Sequence, residues 1–509
     1  MNLRIATTPL STPLEVPEPI ADGFDPALGK AFWPSAALHD GLGRLRQPGA
    51  LAVTSGQQPG LFTGPLYTVY KALSTAAVAS MLERQWRRPV VPIFWLAGDD
   101  HDFAEASEAA WIGTDGNLST VSLPPRPAEA PLTPMYREPL GEGIKPALDA
   151  LVAGMPDSEY RDSTVEWLRR HYRPDETIGR SFAGAISELL APFGIICFDS
   201  THAAAKQAAA PLLIRALAQA SKLDDELDRF LDALGATART SGVTVGDGAS
   251  LVMLEASQGR DRLIRDGDGF VTRRSKERFT LAALEQIAAA EPARLSPNVL
   301  LRPVVESALL PTVAYLGGPG ELRYLAVTPP IYEHLQVRRQ NPLPRWSGVL
   351  VEPRVNRVLD KFGITLEDLA SPPGSLESRL VRSQVPPAAN EALARLRAAL
   401  ESGYGELRDI AVEIDPTLDR SIQGMQQQAV SGTQDVERKL VQHLKKRQET
   451  ELSQLGRART AVLPGGKPQE RVLTIAPFLA RHGPELLRGL TDEIARWYGR
   501  GLEGPSQPA

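Results

Sequence analysis

Residues 50–71 read ALAVTSGQQPGLFTGPLYTVYK. Ala50-Leu51-Ala52-Val53 is an apolar run of strand length, and a helical pattern begins near Pro65. Gly56, Gly60 and Gly64, with Pro59 and Pro65, stand between the two. A plain connector needs far less backbone punctuation. Glycine lets a ligand approach the backbone closely. Proline suits the first turn of a helix, whose free N–H groups favour an anion. Ser55, Gln57, Gln58, Thr63, Tyr67 and Lys71 add hydrogen-bonding groups. The segment therefore predicts a strand–turn–helix that binds a carboxylate or phosphate, against the plainer reading of an ornate turn.

Val90–Leu96 is a second strand, running into Ala97-Gly98-Asp99-Asp100-His101-Asp102-Phe103. Apolar stretches at 194–199, 250–255, 312–316 and 348–352 read as further strands, with helical patterns among them. That alternation predicts an α/β fold with a mainly parallel sheet, whose ligands lie at strand carboxyl ends. Segments near 104–190 and 203–297 are too long for simple crossovers and read as insertions. Residues 123–146 are proline-rich and read as a surface loop or arm.

The chain has 509 residues, enough for two to four domains, and a net charge of −5. That charge gives no electrostatic case for nucleic acid or an anionic membrane. The N-terminus lacks a signal-peptide pattern, and the longest apolar run is too short to span a bilayer. A single cysteine, Cys197, excludes intramolecular disulfides and reads as a buried strand residue. Together these features predict a cytoplasmic protein.

From Pro386 the pattern changes. Leu393, Leu396, Leu400, Tyr404, Leu407, Ala411, Ile414, Leu418, Ile422 and Met425 follow at steps of three and four. Asp415-Pro416 interrupts this seam, predicting helices over about 388–413 and 416–456 or one kinked rod. Such an arm is expected to dimerise; the alternative is a helical hairpin folded on its own core.

Three carboxylates, Asp99, Asp100 and Asp102, surround His101. Neighbouring carboxylates favour imidazolium, and a histidine near neutrality exchanges protons. Acid–base work, binding of a substrate amine, a divalent metal and a structural strand end are all open. No H-E-x-x-H zinc pattern is present. A third block holds Asn298, Arg302 and a second glycine-rich turn, Gly317-Gly318-Pro319-Gly320-Glu321. Arg302 suits a carboxylate, and Glu321 an amine or hydroxyl. There is no G-x-x-x-x-G-K-[ST] loop, G-x-G-x-x-G fingerprint or G-x-S-x-G elbow. Gly466 and Lys467 with Gln469 and Arg471 remain a candidate phosphate grip, against a solvated helix end.

These blocks together resemble the bacillithiol biosynthesis cysteine-adding enzyme family. The matching residues are 55–67, 94–102, Ser296-Pro297-Asn298, Arg302-Pro303, Gly318-Pro319-Gly320-Glu321, Gly466-Lys467 and Gln469-Glu470-Arg471. The resemblance implies a Rossmann-like core over 1–385 carrying the insertions, a coiled-coil arm over 386–462 that mediates homodimerisation, and a helical segment over 463–509 returning to the core. It implies a ligase joining the carboxyl of L-cysteine to the amine of glucosaminyl malate. A free carboxylate does not condense with an amine in water unactivated, so ATP with Mg2+ is expected. No H-x-G-H or K-M-S-K-S motif accompanies it. The expected roles are backbone binding of a carboxylate around Gly56 to Thr63, and orientation by Gln57, Gln58 and Tyr67. Asp100 and His101 are expected to hold and deprotonate the amine, and Asn298 and Arg302 to place a carboxylate. A nucleotidyl- or sugar-transferase, and a dimeric scaffold, are the competing readings.

Overall fold

Val90–Leu96 is buried at every position, as are the first six residues of Leu51–Gln57. Strands buried on both faces belong inside a parallel sheet covered by helices. The computed structural model describes residues 3–10, 14–20, 22–235 and 248–502. Its strands are β1 (Arg4–Thr7), β2 (Leu51–Gln57), β3 (Val90–Leu96), β4 (Glu108–Ile112), β5 (Leu118–Ser122), β6 (Ile196–Asp199) and β7 (Ala249–Ala256). Then come β8 (Gly259–Asp266), β9 (Gly269–Thr272), β10 (Arg278–Thr280), β11 (Leu295–Pro297), β12 (Thr312–Gly317), β13 (Asn341–Pro344) and β14 (Gly348–Val351).

Five strands form a parallel sheet in the order β13-β12-β2-β3-β6. The period of two sorts its side chains onto two faces. Leu51, Val53, Val90, Phe94 and Leu96 join one core, while Ala52, Val91, Ile93 and Trp95 join the other. Each fully buried leucine or phenylalanine contributes roughly 1.5–3 kcal/mol relative to exposure. Helix Tyr67–Trp86 packs over β2 and β3 and against Glu485–Leu502. Cys197 is buried in β6, and burial pushes its thiol up to about 12.

The second insertion builds an antiparallel sheet, β10-β9-β8-β7-β11. The stretch 250–255, expected among the parallel strands, belongs here, and β14 lies outside both five-stranded sheets. A short apolar run specifies burial and not a pairing partner. β13 escaped notice because it holds two prolines; it is an edge strand, where proline is tolerated. β2 also continues four residues beyond the apolar run that ends at Val53.

The proline-rich stretch 123–146 is no free loop. The Met135 and Tyr136 N–H groups donate to the Asp100 and Gly98 carbonyls at 2.7 and 3.0 Å. Leu132 exchanges hydrogen bonds with Gln258 and Arg260 at the β7–β8 turn. The stretch is a strap tying the Asp100 loop to the antiparallel sheet.

Backbone contacts divide the chain into two units. Residues 3–350 with 468–502 form the first; Val351–Lys467 form the second. In the second, Pro387–Ile414 and Leu418–Arg447 pack as an antiparallel hairpin, with Arg397 on Glu437 and Arg408 on Asp419, both at 2.6 Å. The helix expected to run to 456 breaks at Gln448, and Glu449–Val462 follows. The single expected seam splits. Leu393, Ala411 and Ile422 are buried, while Leu396, Leu407, Ile414, Leu418 and Met425 are exposed.

Candidate active site

The chain runs from β2 outward to β3 and β6, then crosses to β12 and β13 on the other side of β2. Strand order reverses there, and such a switch point opens a crevice at the carboxyl ends. A cleft of about 610 Å³ lies there, lined from the ends of β2, β3 and β12 and roofed by β8 and the residues after β11.

Gln57, Gln58, Tyr67 and Glu105 form one wall. Gln57 Nε2 donates to the Tyr67 hydroxyl at 3.1 Å, and Tyr67 donates to Glu105 at 3.2 Å. Glu105 is exposed as a residue, yet partial desolvation of its carboxyl at the cleft wall raises it above its ordinary range, with Asp102 and Asp100 adding to the rise against the Tyr67 hydrogen bond. Glu105 was missed in the sequence, although it stands three residues after Asp102 in a helix-starting pattern.

Asp99, Asp100 and His101 form the second wall. Asp99 is paired at 2.6 Å with buried Lys206, which no local motif marks. His101 Nδ1 lies 3.1 Å from Nη1 of Arg260. Burial, then the Arg260 charge, hold His101 below its ordinary pKa despite Asp100 and Asp102. This reverses the expected preference for imidazolium, because the ring is part-buried and a cation reaches it from β8, far away in sequence. Asp102 does not line the cleft; it is exposed and caps Phe103–Ala106 through the Glu105 N–H.

Arg302, Gly318, Gly320 and Glu321 close the third side. Arg302 pairs with buried Glu306 at 2.6 Å and stacks on Tyr315. Asn298 lines the cleft, but its Oδ1 accepts from the Leu300 and Leu301 N–H groups, shaping the turn. Glu321 is already engaged, by Lys71 at 2.8 Å, Tyr315 at 2.6 Å and the Gly318 N–H at 2.8 Å. Burial opposes its charge, but Lys71, Tyr315 and the Gly318 N–H together outweigh burial and hold the carboxyl below its usual range. Lys71 is 1 % exposed and does not line the cleft; it also donates to the Gly56 carbonyl and Gln57. It braces the strand–turn–helix from outside the cleft lining.

The turn itself departs from expectation. Gly56 lines the cleft, whereas Ser55, Gly60, Thr63 and Gly64 do not. Ser55 donates to the Leu316 carbonyl at 2.6 Å. The Thr63 N–H donates to the Tyr172 hydroxyl at 2.7 Å, and Thr474 donates to the Phe62 carbonyl. The Leu66 N–H, at the helix start, is taken by the Leu473 carbonyl at 2.8 Å. One donor of the anion site expected at this helix start is thus taken by the chain's own C-terminal segment. Gln469 is buried and exchanges hydrogen bonds with the Leu350 backbone, which excludes it from a phosphate grip. Gly466 and Lys467 are exposed residues of the second unit, and only Arg471 of that quartet lines the cleft.

Several lining charges are internally matched: Asp99–Lys206, Arg302–Glu306 and Arg345–Glu470, with Glu321 taken by Lys71. Arg260, Arg262, Arg323 and Arg471 have no carboxylate partner among the described residues, and face the cleft with Asp100 and Glu105. The uncompensated charge is positive and suits an anionic ligand. Among the described residues, no three His, Cys, Asp or Glu side chains are grouped to hold a metal ion.

Residues 30–346 match the model for the bacillithiol biosynthesis BshC N-terminal Rossmann-like domain, and residues 348–497 match its C-terminal coiled-coil domain. The chain belongs to the BshC family. Relatives named "Putative cysteine ligase BshC" include one from Solibacter usitatus (strain Ellin6076), 33% identical over 89% of this chain and 84% of its own length. Another, from Koribacter versatilis (strain Ellin345), is 32% identical over 88% of this chain and 82% of its own length. A third, from Chlorobaculum tepidum, is 31% identical over 87% and 81%. The parallel sheet is thus the family's Rossmann-like core, and the chain is an enzyme of the ligase class. Among the described residues no helix is long and apolar enough to cross a membrane.

Proposed function

We propose that this chain joins the carboxyl group of L-cysteine to the amino group of glucosaminyl malate in the cytoplasm, with ATP and Mg2+ activating the carboxyl. The observation that carries this reading is the cleft at the switch point, where arginines without carboxylate partners face the Tyr67–Glu105 pair. The malate portion offers two carboxylates, and Arg262 and Asn298 stand where such groups would be held. Arg323 and Arg471 suit the phosphates of a nucleotide, which supplies the leaving group on the acyl carbon.

An amine attacks only when neutral. Glu105, with its raised carboxyl and fixed hydroxyl partner, is placed to take the ammonium proton; Asp100 holds the ammonium beside it. Gln57, Gln58 and Tyr67 orient sugar hydroxyls. The arm supports a homodimer, because Leu407, Ile410 and Ile414 leave an exposed apolar face at helical spacing.

The test is mass spectrometry of the protein with glucosaminyl malate and cysteine, with and without magnesium ATP. Cysteinyl conjugate appearing only with ATP is expected. Conjugate at full rate without nucleotide overturns the activation step, and none in any condition overturns the substrates. Glu105→Gln should lower kcat by about 10²-fold or more while leaving the fold intact.

A further inference from the structure

Arg260 is 9 % exposed, and each of its side-chain nitrogens has a partner. Nε donates to Ser296 Oγ at 2.8 Å, and Nη2 donates to the Pro297 carbonyl at 2.7 Å. Its backbone N–H donates to the Leu132 carbonyl of the strap at 2.9 Å. With the guanidinium so fixed, Nη1 is left 3.1 Å from His101 Nδ1. A guanidinium has five N–H donors, no acceptor, and keeps its charge in proteins. The contact therefore has one sense: Arg260 donates and Nδ1 accepts. A neutral imidazole has one N–H and one lone-pair nitrogen, so the proton resides on Nε2. An imidazolium would set one N–H against another.

We infer that Arg260 is a positioning residue that holds His101 as the neutral tautomer protonated at Nε2, so that His101 meets substrate as a hydrogen-bond donor and not as a base. The ring's only lone pair is spent on Arg260. The charged groups around it are Arg260 from β8, Asp100 and Asp102 on its own loop, and Arg126 from the strap. Burial and the two arginines oppose imidazolium more strongly than the two aspartates favour it. A preorganised N–H in a cleft serves an oxygen that gains negative charge when its carbonyl is attacked. That function rests on the ligase reading; the tautomer does not. It also leaves the ammonium proton to Glu105.

Nitrogen-15 histidine labelling of the full chain reads the tautomer directly in substrate-free protein at neutral pH. His101→Gln identifies the signals of His101 among the seven histidines. The expected spectrum shows Nδ1 bare and Nε2 protonated, with an acid midpoint below the ordinary 6.5. Arg260→Met should mix the two tautomers and move that midpoint upward. A proton on Nδ1 in the wild type, or an unmoved midpoint in folded R260M, overturns the inference. Should R260M not fold, the wild-type spectrum decides alone. In turnover, His101→Gln keeps an N–H near the position of Nε2 and should retain about tenfold more activity than His101→Ala. Equal loss in the two variants overturns the donor role. Failure of the ligase reading shows separately, as missing conjugate with the spectrum unchanged.

Discussion

Lys71 shows how a residue type misleads when its surroundings are unknown. A lysine in a polar turn resembles a ligand-binding group, yet it is buried against Glu321. Removing one partner of a buried pair strands the other charge. Lys71→Met should therefore destabilise the fold by about 3–5 kcal/mol, read from urea unfolding, and pairing it with Glu321→Gln should recover part of the loss. An equally stable single variant would contradict the bracing role. His482 offers a test by pH. Burial, then Arg481, bring its pKa down from 6.5 to about 4. Between those values the unfolded chain binds a proton that the native state does not, so stability falls as pH drops through that window. His482→Gln should flatten this part of the stability profile, measured by denaturant titration at successive pH values.

Among elements, the strap and the β7–β8 turn act together. Gly259 has φ +79°, and a Cβ there would stand 2.5 Å from the Leu132 backbone. Only glycine allows that approach, and the approach puts Arg260 beside the Asp100 loop. Gly259→Val should cost at least about 1–3 kcal/mol from backbone strain and lower kcat together with it. Thermal unfolding and steady-state kinetics on one preparation check both; a variant with normal kcat would detach the strap from the site. The turn after β2 follows the same logic. Its positive-φ residues Phe62, Thr63 and Gly64 are held by Tyr172 and Thr474, which makes it a locked knuckle beneath the cleft.

At the scale of the whole molecule, residues far apart in sequence complete the first unit. Glu470 forms a buried two-point pair with Arg345, at 2.5 and 3.0 Å, and Gln469 seals the Leu350 backbone. The same C-terminal return takes up the Leu66 N–H at the helix start that the sequence left open to an anion. In the second unit, Ile410 and Ile414 are 60 % and 77 % exposed, one helical turn apart. Ile410→Glu with Ile414→Glu should convert a dimer into a monomer in sedimentation velocity, without loss of helix signal. A dimer that persists would place the interface elsewhere.

The α/β class, a strand beginning at Leu51 and another at 90–96, the helical arm and the cleft-side groups Gln57, Gln58, Tyr67, Asp99, Asp100, His101 and Arg302 were legible in the chain alone. They were legible because burial period, glycine-rich turns and polar residues at strand ends are local signals. Arg260, Lys206 and Glu105 were not. Arg260 and Arg262 share one face of β8 by the period of two, but no local pattern says that this face roofs a cleft. The charge state of His101 depends on a guanidinium 159 residues away. The burial of Lys71 and Glu321 depends on a contact across 250 residues. Long-range pairing and desolvation fix such quantities, and both arise only once the sheets have packed, because the energy of a charge depends on what replaces its water.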